Sequence, residues 1–182
     1  MIDKINLSVI RETFGKVVYT HKTYEKAADI CFQKSKLIKT INVILLTITT
    51  GSALGSIFNG DKLIFVTSIF ASLSLFFVIY QFNFNFEGLA VEYKDIAKKL
   101  WLIREEYQNF IADINNERYS TDEIAKRRDF LLRELSKILE GAPSTDEKAY
   151  QKARKSLKFE EEMTFNNQEI DNFLPSELHV KD

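Results

Sequence analysis

Cysteine, proline and glycine are scarce in this chain: one, two and six of 182 residues. A single cysteine excludes an internal disulfide framework. The shortage of proline and glycine removes the usual helix breakers, so long helices are expected. An excess of one charge is also missing, because 25 Lys and Arg face 26 Asp and Glu for a formal net charge of −1. That balance gives no reason to expect a nucleic acid or an acidic substrate. No Gly-rich phosphate loop, nucleophile elbow or zinc spacing occurs, and the carboxylates are scattered over periodic helix faces. The sequence therefore reads as a non-enzyme with no metal and no cofactor. His21 and Cys31 share one helical face, but a metal needs three or four converging groups. Packing is the expected role of both.

The most informative absence is local. No Asp, Glu, Lys or Arg lies between Lys39 and Asp61, and none between Lys62 and Glu87. Ile41 to Phe58 is an 18-residue apolar run, long enough as a helix to span about 27 Å. Leu63 to Phe86 is longer and more aromatic, with QFNFNF at its end, where bulky rings suit the boundary between acyl chains and headgroups. The first run holds nine Leu, Ile, Val or Phe residues, worth roughly 3–5 kcal/mol of insertion before polar costs. Fifteen such residues in the second give roughly 5–9 kcal/mol. The second span should insert alone and the first with its help. Only Asn59-Gly60-Asp61-Lys62 joins them, which makes a transmembrane hairpin. A pair of helices buried in a soluble protein fits less well, since a chain this size offers little to cover them. A cleaved signal peptide fits worse, because the apolar run begins about forty residues in.

Basic residues in the flanks set the expected orientation. Lys22, Lys26, Lys34, Lys36 and Lys39 precede the first span, Lys94, Lys98, Lys99 and Arg104 follow the second, and Lys62 alone lies in the turn. The positive-inside rule then puts both termini in the cytoplasm of a multi-pass inner-membrane protein.

Outside the spans the apolar residues recur at alternating steps of four and three. Leu89, Tyr93, Ile96, Leu100, Ile103, Tyr107, Phe110 and Ile114 form one heptad seam. Ile10, Phe14, Val17, His21, Tyr24, Ala28, Cys31, Ser35 and Ile38 form another, with His21 and Ser35 as polar members. Both arms are expected to continue their spans and lie side by side. Ser120 with Glu123, then Ser144 with Glu147, read as capping boxes opening two further helices. The stripes are Ile124, Leu131, Leu135 and Ile138 on one, and Tyr150, Ala153 and Leu157 on the other. Gly141 and Pro143 separate them. Phe165, Ile170, Phe173 and Leu174 are apolar enough to dock on the bundle, and Pro175 begins a loose tail.

The expected fold is all-α, a two-helix transmembrane hairpin with long helical arms and a cytoplasmic four-helix bundle. Its divisions are an N-terminal arm (1–40), a span (41–58), a turn (59–62), a span (63–86), the bundle (87–163) and a tail (164–182).

This layout resembles the SLATT family of bacterial proteins. The stretch from HKTYEKAADICFQKSKLIKTINVILL through the second span into EYKDIAKKLWLIREEY carries the resemblance, which extends over residues 11–174. It implies an effector of bacterial conflict and antiviral defence systems. Such an effector would form a homo-oligomeric pore in the membrane lipid bilayer and kill or arrest the infected cell. The family also implies a partner that makes or senses nucleotide signals. The other function in view is a non-conducting anchor or scaffold that recruits a cytoplasmic partner through its arms.

Three groups are candidate sites. In the second span Thr67, Ala71, Ser74, Val78, Gln81 and Asn85 make a small and polar row. Such residues face water or protein, so Thr67, Ser74, Gln81 and Asn85 either line a pore or bind helices together. Thr47, Gly51 and Gly55 form a small-residue packing stripe, inside the hairpin or between copies. Arg127, Arg128, Lys152 and Lys155 could hold an anionic ligand, although they are interleaved with carboxylates as an ordinary solvated surface is.

Overall fold

The computed structural model describes residues 4–59, 61–175 and 179. Six helices follow one another: α1 (Lys4–Asn59), α2 (Asp61–Asn83), α3 (Phe86–Asn115), α4 (Thr121–Leu139), α5 (Glu147–Lys158) and α6 (Asn167–Asp171). No strand occurs among the described residues. The 56 residues of α1 form one rod about 84 Å long. It is the spine of the molecule, with α2, α3 and α5 packed along it and α4 lying against α3. The expected turn at 59–62 centres on Gly60, which lies outside the described residues.

The seams form as the heptad spacing requires. Ile10, Val17, His21, Tyr24, Ala28, Cys31, Ser35 and Ile38 of α1 are buried against Tyr93, Leu100, Ile103, Tyr107, Phe110 and Ile114 of α3. The small Ala90 and Ala97 let the two helices approach. A fully buried Leu100 stabilises such a seam by about 1.5–3 kcal/mol. The same steps carry on into the span, where Asn42, Leu45, Thr49 and Ser52 are the half-buried face of α1.

Large apolar side chains remain exposed along both spans, including Val43, Ile44, Leu54, Phe65, Leu75 and Phe76. Little of either span is covered within the chain, unlike a helix buried in the core of a soluble fold. Hydrocarbon covering them satisfies the same surface, because the helical backbone already meets its own hydrogen bonds.

Three expectations need correction. The second arm does not continue its span: the chain breaks at Phe84–Asn85 before α3 begins. Asn85 turns out of the helix and its side chain accepts from the Gly88 N–H at 2.9 Å. A polar residue beside its own backbone offers an alternative to helical pairing. Tyr80, Phe84 and Phe86 stack around this joint, with Tyr80 and Phe84 centroids 4.6 Å apart. Second, Ser120 and Glu123 do make a capping box for α4, but α5 is capped by Asp146, not Ser144. That shift moves its buried stripe to Ala149, Ala153 and Ser156, and leaves Tyr150 exposed. Third, Phe165, Ile170, Phe173 and Leu174 stay exposed rather than docking, and a short helix, 167–171, forms among them ahead of Pro175.

Candidate functional site

The polar row of α2 meets a polar row of α1. Ser74 is 3% exposed, and its hydroxyl donates to Asn42 Oδ1 at 2.6 Å. Two turns away, the Thr67 hydroxyl lies 2.8 Å from Ser52 Oγ, whose own hydrogen goes to the Thr49 carbonyl. Most other hydroxyls in the spans bond to the carbonyl one turn back, as Thr47 does to Val43 and Ser68 to Ile64. Such back-bonding satisfies a hydroxyl without a partner helix. Asn42–Ser74 therefore differs in kind, since it ties the two spans together, whereas the Thr67 hydroxyl divides its hydrogen between Ser52 Oγ and the Leu63 carbonyl, at 2.8 and 2.9 Å.

The rest of the row diverges. Gln81 is half-buried and lines a cavity of about 380 Å3 with Ser35, Ile38, Val78 and Phe84. Asn85 is exposed and serves as the cap of α3. Thr47 and Gly51 point away from α2, and a Cβ on Gly51 would meet nothing within 4 Å. Gly55 does face the hairpin partner, where a Cβ would come within 3.0 Å of Leu63. The hairpin thus closes on Asn42, Leu45, Thr49 and Ser52, a face the glycine spacing did not point to. Its signal was the arm's own heptad, continued past Ile38.

The four basic candidates stay apart. Arg127 pairs with Glu106 at 2.8 Å and lies over Phe130, and Arg128 engages Asp129 and Asn6. These two sit on α4, while Lys155 and Lys152 ride on α5. Lys155 is matched by Glu160 at 2.9 Å. Among the described residues no group of three or more His, Cys, Asp or Glu could hold a metal.

Outside the membrane, two features escaped the sequence reading. The Tyr24 and Tyr93 hydroxyls donate to the carbonyls of Pro143 and Ser144, at 3.0 and 2.7 Å. They clamp the α4–α5 link onto the seam, and burial raises both phenols above their ordinary range. Beyond α5, residues 159–165 form a strap across α1. Glu162 reaches Lys22 and Lys26 there, the latter at 3.1 Å. The hydrogen bond from Lys22 leads in holding the Glu162 carboxyl down at about 2. Burial opposes charge on Lys22, yet its bonds to Glu162 and Glu25 keep it above its ordinary value. Glu161 and Met163 adopt left-handed backbone, with φ of 50° and 72°, an uncommon and strained state for residues with side chains. Beside the strap, burial lowers the His21 pKa; Glu25 opposes, and Arg104, Lys22 and Lys94 reinforce.

An all-α chain with two apolar helices each long enough to cross a membrane, and with its remaining helices bundled beyond them, has the layout of a two-transmembrane-helix domain. A family model matches residues 7–169, described as the SMODS and SLOG-associating 2TM effector domain family 4. The chain belongs to that family, which implies a membrane effector role in defence systems. Searches of curated proteins and of solved structures find no match.

Proposed function

We propose that the chain is an effector that oligomerises in the inner membrane and permeabilises it when triggered, ending in cell death or growth arrest. The observation that carries this reading is the pairing of Asn42 with Ser74 and Ser52 with Thr67. Polar side chains within a span are costly and mark function by default. In the closed hairpin Asn42 and Ser74 satisfy one another, and Thr67 meets Ser52 as well as its own Leu63 carbonyl. Turning α2 about α1 would release Thr67, Ser74 and Gln81 toward water between neighbouring copies. The joint at Phe84–Asn85 supplies the freedom for that turn, since α2 can rotate without dragging α3. Both termini lie in the cytoplasm on the basic-flank rule, and the signal reaches the bundle from a partner that makes or senses a nucleotide.

The test is induced expression with a potential-sensitive dye. Wild-type chain should depolarise the membrane once triggered, and Ser74→Leu with Gln81→Leu should abolish this while still inserting. Unchanged permeability in arrested wild-type cells would rule the reading out. A second reading, a non-conducting anchor, draws on the exposed Val91, Trp101 and Leu102 of α3, a surface a protein partner could cover. It predicts a stable complex, no conductance, and greater damage from altering that surface than from altering the polar row.

A further inference from the structure

The groove between α1 and α3 beside the strap combines groups that nothing in the membrane role employs. We propose that it binds a phosphorylated ligand carrying a planar ring. The cavity measures about 690 Å3, within the range of small-molecule sites.

Its polar groups are incompletely used. Arg104 is mostly buried and holds Glu105 through Nε at 3.1 Å and Nη2 at 2.5 Å, but its Nη1 finds only the Met163 sulfur, at 3.7 Å. A thioether is a weak acceptor for a guanidinium, whereas phosphate oxygens match its fork. Lys98, exposed at the rim, has no ion-pair partner among the described residues. Lys94 reaches Glu25 only at 3.8 Å. His21 is 5% exposed, and its Nδ1 is buried without a hydrogen-bond partner. The opposing carboxylates are already committed: Lys22 bonds to Glu25 at 3.0 Å, and Lys22 and Lys26 hold Glu162. Lys98, the loosely paired Lys94 and the Nη1 edge of Arg104 are left for an incoming anion.

The ring half of the ligand follows from Trp101. Its indole lines the cavity, is 46% exposed and lies 6.0 Å from the Arg104 guanidinium. An exposed aromatic face beside cations suits a base or similar plane. A lipid headgroup is out of reach, because even Lys94, the groove residue nearest the second span, follows Phe86 by eight residues, about 12 Å along a helix and beyond a headgroup layer of about 5–7 Å. The ligand is therefore soluble, and Met163 and Phe165 of the strap wall it in.

Trp101 is the protein's one tryptophan, so its emission reports this groove. The full chain in nanodiscs is titrated with ADP, with adenosine and with pyrophosphate, following Trp101 fluorescence and heat. ADP should bind saturably and quench, pyrophosphate should compete without quenching, and adenosine alone should bind at least tenfold more weakly than ADP. Lys94→Glu with Lys98→Glu, both on the exposed rim, should weaken ADP at least tenfold without changing the melting temperature. No saturable signal at millimolar ADP, or equal affinity in the rim variant, overturns the proposal. Neither result bears on conductance, so the membrane reading stands or falls separately.

Discussion

Ser74 and Asn42 share a 2.6 Å hydrogen bond between the two spans, with Ser74 only 3% exposed. In a hydrocarbon setting each is the other's substitute for water. Ser74→Ala should destabilise the hairpin by about 1 kcal/mol, because Asn42 loses its donor. Replacing Asn42 with Leu in the same chain should recover most of that loss. Thermal unfolding of the single and double variants in matched detergent measures both effects.

Gly51 and Gly55 should respond differently to enlargement. Open space surrounds Gly51, whereas Leu63 stands against Gly55. Gly51→Leu should leave the stability of the hairpin within about 0.5 kcal/mol of wild type, as surface changes do. Gly55→Leu should cost about 1–3 kcal/mol by overpacking. If copies associate through the Gly51 face, cross-linking yield will fall in Gly51→Leu with the monomer fold intact.

Glu162 fixes the pH response of the strap. Its carboxyl is held at about 2, against 4.5 for the free group. A folded value below the unfolded one means that the stabilisation is complete above about pH 4.5 and is lost as pH falls through about 2. The stability difference between wild type and Glu162→Gln should be largest near neutrality and shrink steadily below pH 4.5. A difference independent of pH would contradict the ion pairs to Lys22 and Lys26.

Tyr93→Phe removes one hydroxyl that donates to the Ser144 carbonyl and should cost about 1 kcal/mol. Tyr24→Phe should do the same through Pro143. The rings meet edge to face with centroids 5.8 Å apart, so the two losses should not be strictly additive. A double-mutant cycle on the melting temperature reads the coupling.

The seams were legible because burial on one face imposes a 3.5-residue period on Ile10 through Ile38 and on Leu89 through Ile114. The spans were legible because lipid excludes charge. The break at Phe84–Asn85 was hidden, since the apolar run continues to Phe86 and a hydropathy reading passes straight through it. The α5 cap was ambiguous: Ser144 and Asp146 are both good N-caps, and the contact of Ala149 with the core favoured the later one. The strap could not be read at all. It depends on Glu162 meeting Lys22 and Lys26 from the far end of the chain, a relationship with no local period. The same holds for Asn42 and Ser74, whose facing positions follow only once the helices are set side by side.

The most direct measurement is planar-bilayer conductance of the purified chain carrying Asn42→Cys and Ser74→Cys in a Cys31→Ala background. Oxidation would bolt the spans together where they now share a hydrogen bond. With the activating partner present, reconstituted oligomers should be silent when oxidised and conduct after reduction, as triggered wild type does throughout. Equal conductance in both states, or none from triggered wild type, would contradict a pore that opens by parting α2 from α1.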